Sequence, residues 1–152
     1  MVSFSFRRAA PDDLTAIVAL LADDPLGSGR ESVGTPLDPC YAEAFCAIDR
    51  DPNQLLAVAE RDQRVIGTLQ LSFIPGLTRR GMWRGQIEGV RVAASERGGG
   101  IGRAMLEWAI EECRKRGCGL VQLTSDKQRT AAHAFYDALG FRSTHEGYKL
   151  SL

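Results

Sequence analysis

The chain has 152 residues, of which 44% are apolar and 25% charged, and its nineteen basic and nineteen acidic residues cancel. This balance is typical of one globular domain, so we expect a single domain over residues 1–152. Without a net positive charge, a general electrostatic affinity for nucleic acid is not expected. No apolar run is long enough to cross a membrane, and the N-terminus lacks the apolar centre of a signal peptide, which makes the cytoplasm the expected location.

The four cysteines show neither C-x-x-C spacing nor a histidine nearby; they are Cys40, Cys46, Cys113 and Cys118. We therefore expect no metal site and no disulfide framework. Packing is the simpler explanation for Cys113 and Cys118, which lie at or beside a predicted helix end. A catalytic cysteine would need a partner base, and none is visible.

The first half of the chain opens with a strand and two helices and continues with a hairpin. The spacing of apolar residues predicts a strand at 3–8, helices at 11–22 and 40–49, and strands at 53–60 and 65–74. Residues 23–39, between the two helices, are rich in Gly, Pro, Ser and Asp and are predicted to form a loop. A loop of that length in a compact domain usually has a function.

The second half alternates strands and helices. It is predicted to contain strands at 85–92 and 119–124, helices at 101–116 and 131–139, and closing strands at 141–144 and 148–152. Strands 85–92 and 119–124, with a helix between them, should be parallel neighbours joined by a right-handed crossover. The element order predicts an α/β (α+β) fold, a mixed and mostly antiparallel sheet with helices on both faces.

A glycine-rich turn, Arg97-Gly98-Gly99-Gly100-Ile101-Gly102-Arg103, links strand 85–92 to the next helix. Such a turn can direct several backbone N–H groups and the positive end of a helix dipole at one anion. Neither the P-loop pattern nor the dinucleotide-binding G-x-G-x-x-G pattern fits these residues. A flexible connector is the alternative, although it has no need of three consecutive glycines, which cost backbone entropy on folding.

Two segments resemble the GNAT superfamily of N-acetyltransferases. Val90-Arg91-Val92 followed by the glycine turn resembles that family's Arg/Gln-x-x-Gly-x-Gly/Ala signature. Residues 132–141, read as A-H-A-F-Y-D-A-L-G-F, resemble its later A-x-x-F-Y-x-x-x-G-F helix. The two segments occur in the family's order and spacing, and the element order also agrees, so the resemblance covers essentially the whole chain. It implies the acyl-CoA N-acyltransferase fold, with a central parallel strand pair that splays apart.

The resemblance also implies a binding groove for acetyl-CoA as the acyl donor, with no metal. The backbone N–H groups of Gly98, Gly99, Gly100, Ile101, Gly102 and Arg103 would hold the pyrophosphate. Arg97 would begin this turn, and Val90, Arg91 and Val92 would pair through main-chain groups with the pantetheine arm. Many members have an asparagine where this chain has Arg129. Contact with a CoA phosphate and simple exposure are both open for that arginine.

Two residues are candidates for the proton transfers that acyl transfer to an amine requires. Tyr136 aligns with the family's acid that protonates the CoA sulfur; a core tyrosine with a hydrated hydroxyl is the alternative. Glu88 is the candidate base, on the same strand face as Val90 and Val92 by alternation, where burial would raise its pKa. A structural ion pair with Arg84 or Arg91 is the alternative.

We therefore expect an acetyl-CoA-dependent N-acetyltransferase in which a primary amine, from a small molecule or a protein, attacks the thioester directly. A catalytically silent acyl-CoA sensor or regulatory module of the same fold is the alternative, and a longer acyl group or an alcohol acceptor is also open. Four acidic residues of loop 23–39 would suit a cationic acceptor, although solvation of the loop explains most of them more simply; they are Asp23, Asp24, Glu31 and Asp38. A homodimer is common among similar proteins.

Overall fold

A computed structural model describes residues 3–152 of the chain. It divides into two compact units, the first ending at Gln122 and the second formed by Leu123–Leu152. The single domain over residues 1–152 stays a prediction. None of the helices in the described residues combines the length and apolar character that crossing a bilayer requires.

Within the described residues, five strands form one sheet in the order β1-β2-β3-β4-β5. They are β1 (Ser5–Arg8), β2 (Gln54–Arg61), β3 (Arg64–Ile74), β4 (Arg84–Val92) and β5 (Leu120–Leu123). The first four pair antiparallel in sequence order, and β4 and β5 are parallel, which confirms the predicted mixed sheet. Asp62 and Gln63 both have positive φ at the β2–β3 turn, as a tight two-residue hairpin requires.

Residues 3–152 contain five α-helical segments. They are α1 (Leu14–Ala22), α2 (Pro39–Arg50), α3 (Thr78–Gly81), α4 (Ile101–Lys115) and α5 (Thr130–Ala138). α3 is a single turn in which Arg79 and Arg80 adopt left-handed φ values of 52° and 62°. Gly117, with a φ of 77°, follows the end of α4 as predicted.

Helices α1, α2 and α4 cover the two faces of the sheet. On one face, α4 packs closely because two glycines leave room for its side chains: Gly67 faces Met105, and Gly85 faces Cys113. Cys113 is buried there, in keeping with a packing role, and its burial raises the pKa of the thiol to about 12. On the other face a second cluster joins α1 and α2 to β2; its buried members are Ala9, Ile17, Phe45 and Val58.

The two closing strands predicted at 141–144 and 148–152 are wrong. Residues 139–152 contain no strand, and Tyr148 and Leu150 are 92% and 86% exposed. Their alternation indicates which side chains could share a face, but a strand also requires a neighbour that pairs with its main chain. The segment has no such pairing within the described residues.

Candidate functional site

The glycine turn presents consecutive N–H groups at the start of α4. Gly98 and Gly100 have φ values of 80° and 81°, which glycine adopts without strain, and Gly100 is the N-cap of α4. The N–H groups of residues 98–103 have no hydrogen-bond acceptor among residues 3–152, and the next one, of Ala104, donates to the Gly100 carbonyl at 3.1 Å. A Cβ at Gly98 or Gly100 would meet no atom within 4 Å. The turn therefore offers unpaired donors beside open space.

The two arginines of this turn are already engaged. The Arg97 Nη2 donates to the carbonyl and the carboxylate of Asp23, at 3.1 and 3.3 Å, and its Nε donates to the Val92 carbonyl. The Arg103 Nε donates to Glu107 one helical turn later, at 2.9 Å. The groups of this turn that remain available to a ligand are therefore main-chain N–H groups.

β5 lies beside only the first part of β4. It has four residues against nine in β4. The Gly119 N–H donates to the Trp83 carbonyl at 2.8 Å, and Gln122, next to the last residue of β5, donates to the Gln86 side chain. Residues 90–92 therefore extend beyond β5, with main-chain groups on that edge that no β5 residue faces.

A β-bulge interrupts β4. The register of β4 on β3 shifts by one residue between Glu88 and Arg91, and Gly89 within the shift has a φ of 61°. A bulge adds one residue and so reverses the alternation beyond it. Arg91, rather than Val90 and Val92, therefore shares a face with Glu88, and the predicted common face of Glu88, Val90 and Val92 is wrong.

Glu88 is exposed, which contradicts its predicted burial among apolar residues. The alternation on which that prediction rested does not show whether a helix covers the strand. Its carboxylate has no hydrogen bond or ion pair within residues 3–152, so the alternative role as a partner of Arg84 or Arg91 is not seen. The Glu88 carboxylate is therefore accessible to solvent one residue before the bulge.

Arg91 reaches from the bulge to the α1–α2 loop. Its Nε lies 2.9 Å from Oδ2 of Asp24, and both side chains are largely buried. Oδ1 of Asp24 accepts a hydrogen bond from the Gly27 N–H. Gly27 has no room for a side chain because a Cβ would collide with the Leu21 carbonyl. Asp24 thus fixes the loop to the strand, a role that sequence reasoning missed.

The other end of the loop is bound to α2. The Tyr41 hydroxyl donates to Glu31 at 2.8 Å and accepts from the Ser32 N–H at 2.9 Å. Asp38 caps α2 by accepting from the Cys40 N–H, and this bond lowers the pKa of its carboxyl. All four acidic residues assigned mainly to solvation therefore have structural partners, since Asp23 is bound by Arg97 as described above.

Tyr136 lies in the second unit, on α5. Its ring is half-buried and meets two aromatic rings edge-on, Phe135 at 5.4 Å and Phe141 at 5.9 Å between centroids. These contacts fix the ring within its own unit. Both the packing role and the catalytic role predicted for Tyr136 are compatible with them.

Arg129 and His133 lie at the start of α5. Arg129 is the N-cap residue, and its N–H donates to the Asp126 carbonyl at 3.0 Å. The His133 Nε2 lies 2.9 Å from the same carbonyl. The histidine ring is therefore part of the local turn, and the CoA contact considered for Arg129 stays a prediction.

Two surface cavities lie elsewhere in the first unit. One of about 410 Å³ lies between the start of α1 and α2, and one of about 110 Å³ lies beside the β2–β3 turn. Neither is lined by a predicted site residue. Among residues 3–152, no three His, Cys, Asp or Glu side chains converge as metal ligands would.

Comparison with known proteins identifies acetyltransferases similar to this chain. The sequence profile of the acetyltransferase (GNAT) family matches residues 14–141. An aminoalkylphosphonate N-acetyltransferase of Salmonella typhimurium is 31% identical over 140 residues, which cover 91% of this chain and 85% of that protein. A glucosamine 6-phosphate N-acetyltransferase of Trypanosoma brucei brucei is 37% identical over 89 residues, 59% of this chain and 58% of that protein.

Solved structures agree in fold. A protein of Bacillus halodurans described as a transcriptional regulator has a TM-score of 0.96 and 46% identity, over 99% of this chain and 100% of that one. An acetyltransferase of Trypanosoma brucei has a TM-score of 0.79 and 28% identity, over 99% and 100% of the two chains. The fold is thus shared along the whole length of these proteins.

Proposed function

We propose that this chain, which belongs to the GNAT family of acetyltransferases, is an acetyl-CoA-dependent N-acetyltransferase. Its acceptor is the primary amine of a small molecule. The observation that carries this proposal is the glycine turn, where six consecutive N–H groups without acceptors adjoin open space. A diphosphate fits such a site, because its oxygens accept several hydrogen bonds and its charge complements the helix dipole.

Main-chain groups of residues 90–92 support the same proposal. Beyond the end of β5 they are available to an extended ligand arm, which would add to β4 as a short strand does. Arg97 and Arg103 are held by Asp23 and Glu107, so we assign them to shaping the turn and to the local positive charge.

The acyl donor supplies a thioester carbonyl, and this chain supplies the groups that move protons. A protonated amine has no lone pair, so the acceptor must lose a proton; Glu88, exposed and unengaged, is proposed to take it on its carboxylate. The new C–N bond forms as the C–S bond breaks, and the Tyr136 hydroxyl is proposed to donate its proton to the departing sulfur. The nitrogen then loses its second proton, which returns through water to the Tyr136 oxygen and leaves a neutral amide.

The relatives favour a small-molecule acceptor over a protein, because the two curated relatives compared above are named for acetylating aminoalkylphosphonate and glucosamine 6-phosphate. A cytoplasmic location and a homodimer belong to the proposal as well. A regulatory module that binds acyl-CoA without turnover is the second candidate. The 46% identity to a protein described as a transcriptional regulator favours it.

Titration calorimetry with acetyl-CoA, followed by a thiol-release assay over a panel of amines, tests these proposals. We expect acetyl-CoA binding and turnover of at least one small amine. Tyr136→Phe should lower turnover and leave acetyl-CoA binding unchanged. Binding without turnover on any amine, unchanged by Tyr136→Phe, would favour the regulatory module, and absence of CoA binding would exclude both candidates.

A matched pair of glycine variants tests the binding turn itself. Gly100→Val should abolish acetyl-CoA binding, because it places a side chain in the open space beside the N–H groups. Gly117→Val is the control: Gly117 also has a positive φ, of 77°, and open space around it, but it lies at the other end of α4. Equal affinities of the two variants for acetyl-CoA would contradict the assignment of the turn.

A further inference from the structure

Within residues 3–152, the buried Nε atoms of Arg61 and Arg84 donate no hydrogen bond. Arg61 is compensated by a carboxylate, since it pairs with Glu96. Arg84 has no ion pair and no hydrogen bond to any of residues 3–152. A half-buried guanidinium without a counter-charge is unfavourable unless an anion or water accepts its hydrogen bonds.

The position of Arg84 relates it to the candidate base. Arg84 pairs with Ile74, and Glu88 with Gln70, in a register that is continuous between them. Both residues therefore lie on one face of β4, with Gln86 between them. The four residues from Arg84 to Glu88 separate their Cα atoms by about 13 Å. One face of β4 thus has a cation at the first residue of the strand and a carboxylate four residues later, just before the bulge.

The surface around this pair is polar and only half-buried. Its members come from four adjacent strands: Gln54, Gln70, Ser72, Gln86 and Gln122. The Gln54 side-chain oxygen accepts from both Gln70 and Ser72, at 2.9 Å each, and Gln122 donates to Gln86 at 2.6 Å. Each of the four amides keeps one polar atom without a partner in the described residues, so the surface retains donors and acceptors for a ligand.

We propose that this polar surface is the acceptor subsite and that the acceptor carries an anionic group, such as a phosphonate, phosphate or carboxylate, besides its amine. This inference rests on the proposed acetyltransferase function. The guanidinium of Arg84 binds the anion, because its planar fork matches two oxygens of such a group. The amine lies toward Glu88. Arg79 and Arg80, in the turn before β4, add positive charge at the same end of the strand.

Four small amines of similar length test the proposal with acetyl-CoA at saturation: 2-aminoethylphosphonate, β-alanine, propylamine and 1,3-diaminopropane. The first two carry an anion, the third is neutral at that end, and the fourth carries a second cation. We expect kcat/KM to be higher for the anionic pair, and the ratio between phosphonate and carboxylate distinguishes the two anions. Preference for propylamine or diaminopropane would overturn the proposal.

Variants of Arg84 locate the effect. Arg84→Gln should raise KM for the preferred anionic amine roughly 10- to 100-fold, the usual loss for a hydrogen bond to a charged group. KM for propylamine and the affinity for acetyl-CoA should not change. Arg84→Lys, which keeps the charge, should recover part of the loss. Arg64→Gln is the matched control. Arg64 is the first residue of β3 and Arg84 pairs with the last one, Ile74, so the two arginines lie at opposite ends of that strand. Equal losses for all four amines would overturn the subsite.

A direct measurement of amine binding tests the subsite independently of enzymatic turnover. If no amine is turned over, 2-aminoethylphosphonate is titrated into the CoA-saturated protein and its Arg84→Gln variant by calorimetry. Binding that is lost in the variant supports the anion subsite while contradicting the enzymatic proposal. Binding that is absent in the parent, or equal in both proteins, overturns the subsite. Thermal melting of Arg84→Gln and Arg84→Lys shows whether each variant is folded.

Discussion

The two faces of β4 differ in chemistry over the same five residues. Gly85 and Ile87 face α4, where Ile87 is 2% exposed and Gly85 has no room for a side chain. Arg84, Gln86 and Glu88 face the other way and are half-buried or exposed. Alternate residues of β4 therefore have different roles. Those on one face pack closely against α4, and those on the other face present hydrogen-bonding groups and charges.

Neighbouring substitutions on opposite faces should consequently have opposite effects. A change on the packed face should lower stability and leave activity per folded molecule unchanged. A change on the polar face should lower activity and leave stability unchanged. If both faces respond alike, the division is wrong.

Glu88→Gln should have the largest effect on the polar face. Loss of a general base lowers kcat by about 10²- to 10⁴-fold. The melting temperature should stay within about a degree or two of the parent, since an exposed, unpaired carboxylate contributes little. Glu111→Gln, exposed on α4, is the charge-matched control for the kinetic measurement.

Ile87→Ala tests the packed face one residue away. Removing a buried isoleucine side chain costs about 2–5 kcal/mol of unfolding free energy, because lost burial is added to an unfilled cavity. Urea unfolding measures this loss. The kcat of the folded fraction at low temperature should be close to the parent value; a fall as large as that of Glu88→Gln would show that the two faces are not independent.

Gly85→Ala should destabilise by about 1–3 kcal/mol, because the new methyl group would overlap the sulfur of Cys113. Cys113→Ala removes that sulfur. In a double-mutant cycle the combined variant should therefore be more stable than the sum of the two single losses predicts. Simple additivity would indicate that Cys113 moves aside without cost.

Local patterns were sufficient to predict much of this molecule. The strands at 53–60, 65–74 and 85–92 and the long helix after the glycine turn are present within one or two residues of their predicted bounds. Each contains a clear apolar period and ends at glycine or a polar turn. The turn at residues 98–103 could be predicted because its consecutive N–H groups all belong to one short segment at the start of a helix.

The features that were missed depend on contacts between distant segments. The partner of Arg91 is Asp24, 67 positions earlier, and the polar surface joins residues of four strands. The bulge at Gly89 is visible only once β4 is aligned with β3, although a glycine inside a strand is a known signal. A local signal for the Asp24 turn also existed, since aspartate three residues before glycine is typical of side-chain-capped turns.

The smallest expected effects on stability concern two adjacent acidic residues of the α1–α2 loop, Asp24 and Asp23. Asp24 and Arg91 are 11% and 15% exposed and lie 2.9 Å apart, whereas Asp23 and Arg97 are 53% and 52% exposed and lie 3.3 Å apart. Asp24→Asn should therefore cost about 1.5 kcal/mol. Asp23→Asn should cost about 0.3 kcal/mol, since water screens the exposed pair.

These two substitutions also separate stability from positioning. If the ion pair between Asp24 and Arg91 holds the loop beside the polar face, Asp24→Asn should raise KM for the amine and leave the affinity for acetyl-CoA unchanged. Asp23→Asn, the isosteric control at the adjacent position, should change neither quantity. Raising the salt concentration should further reduce the small stability effect of Asp23→Asn and spare that of Asp24→Asn, because screening acts on exposed charges. An equal salt response of the two variants would show that the Asp24 pair is open to water, and the loop would then need another anchor.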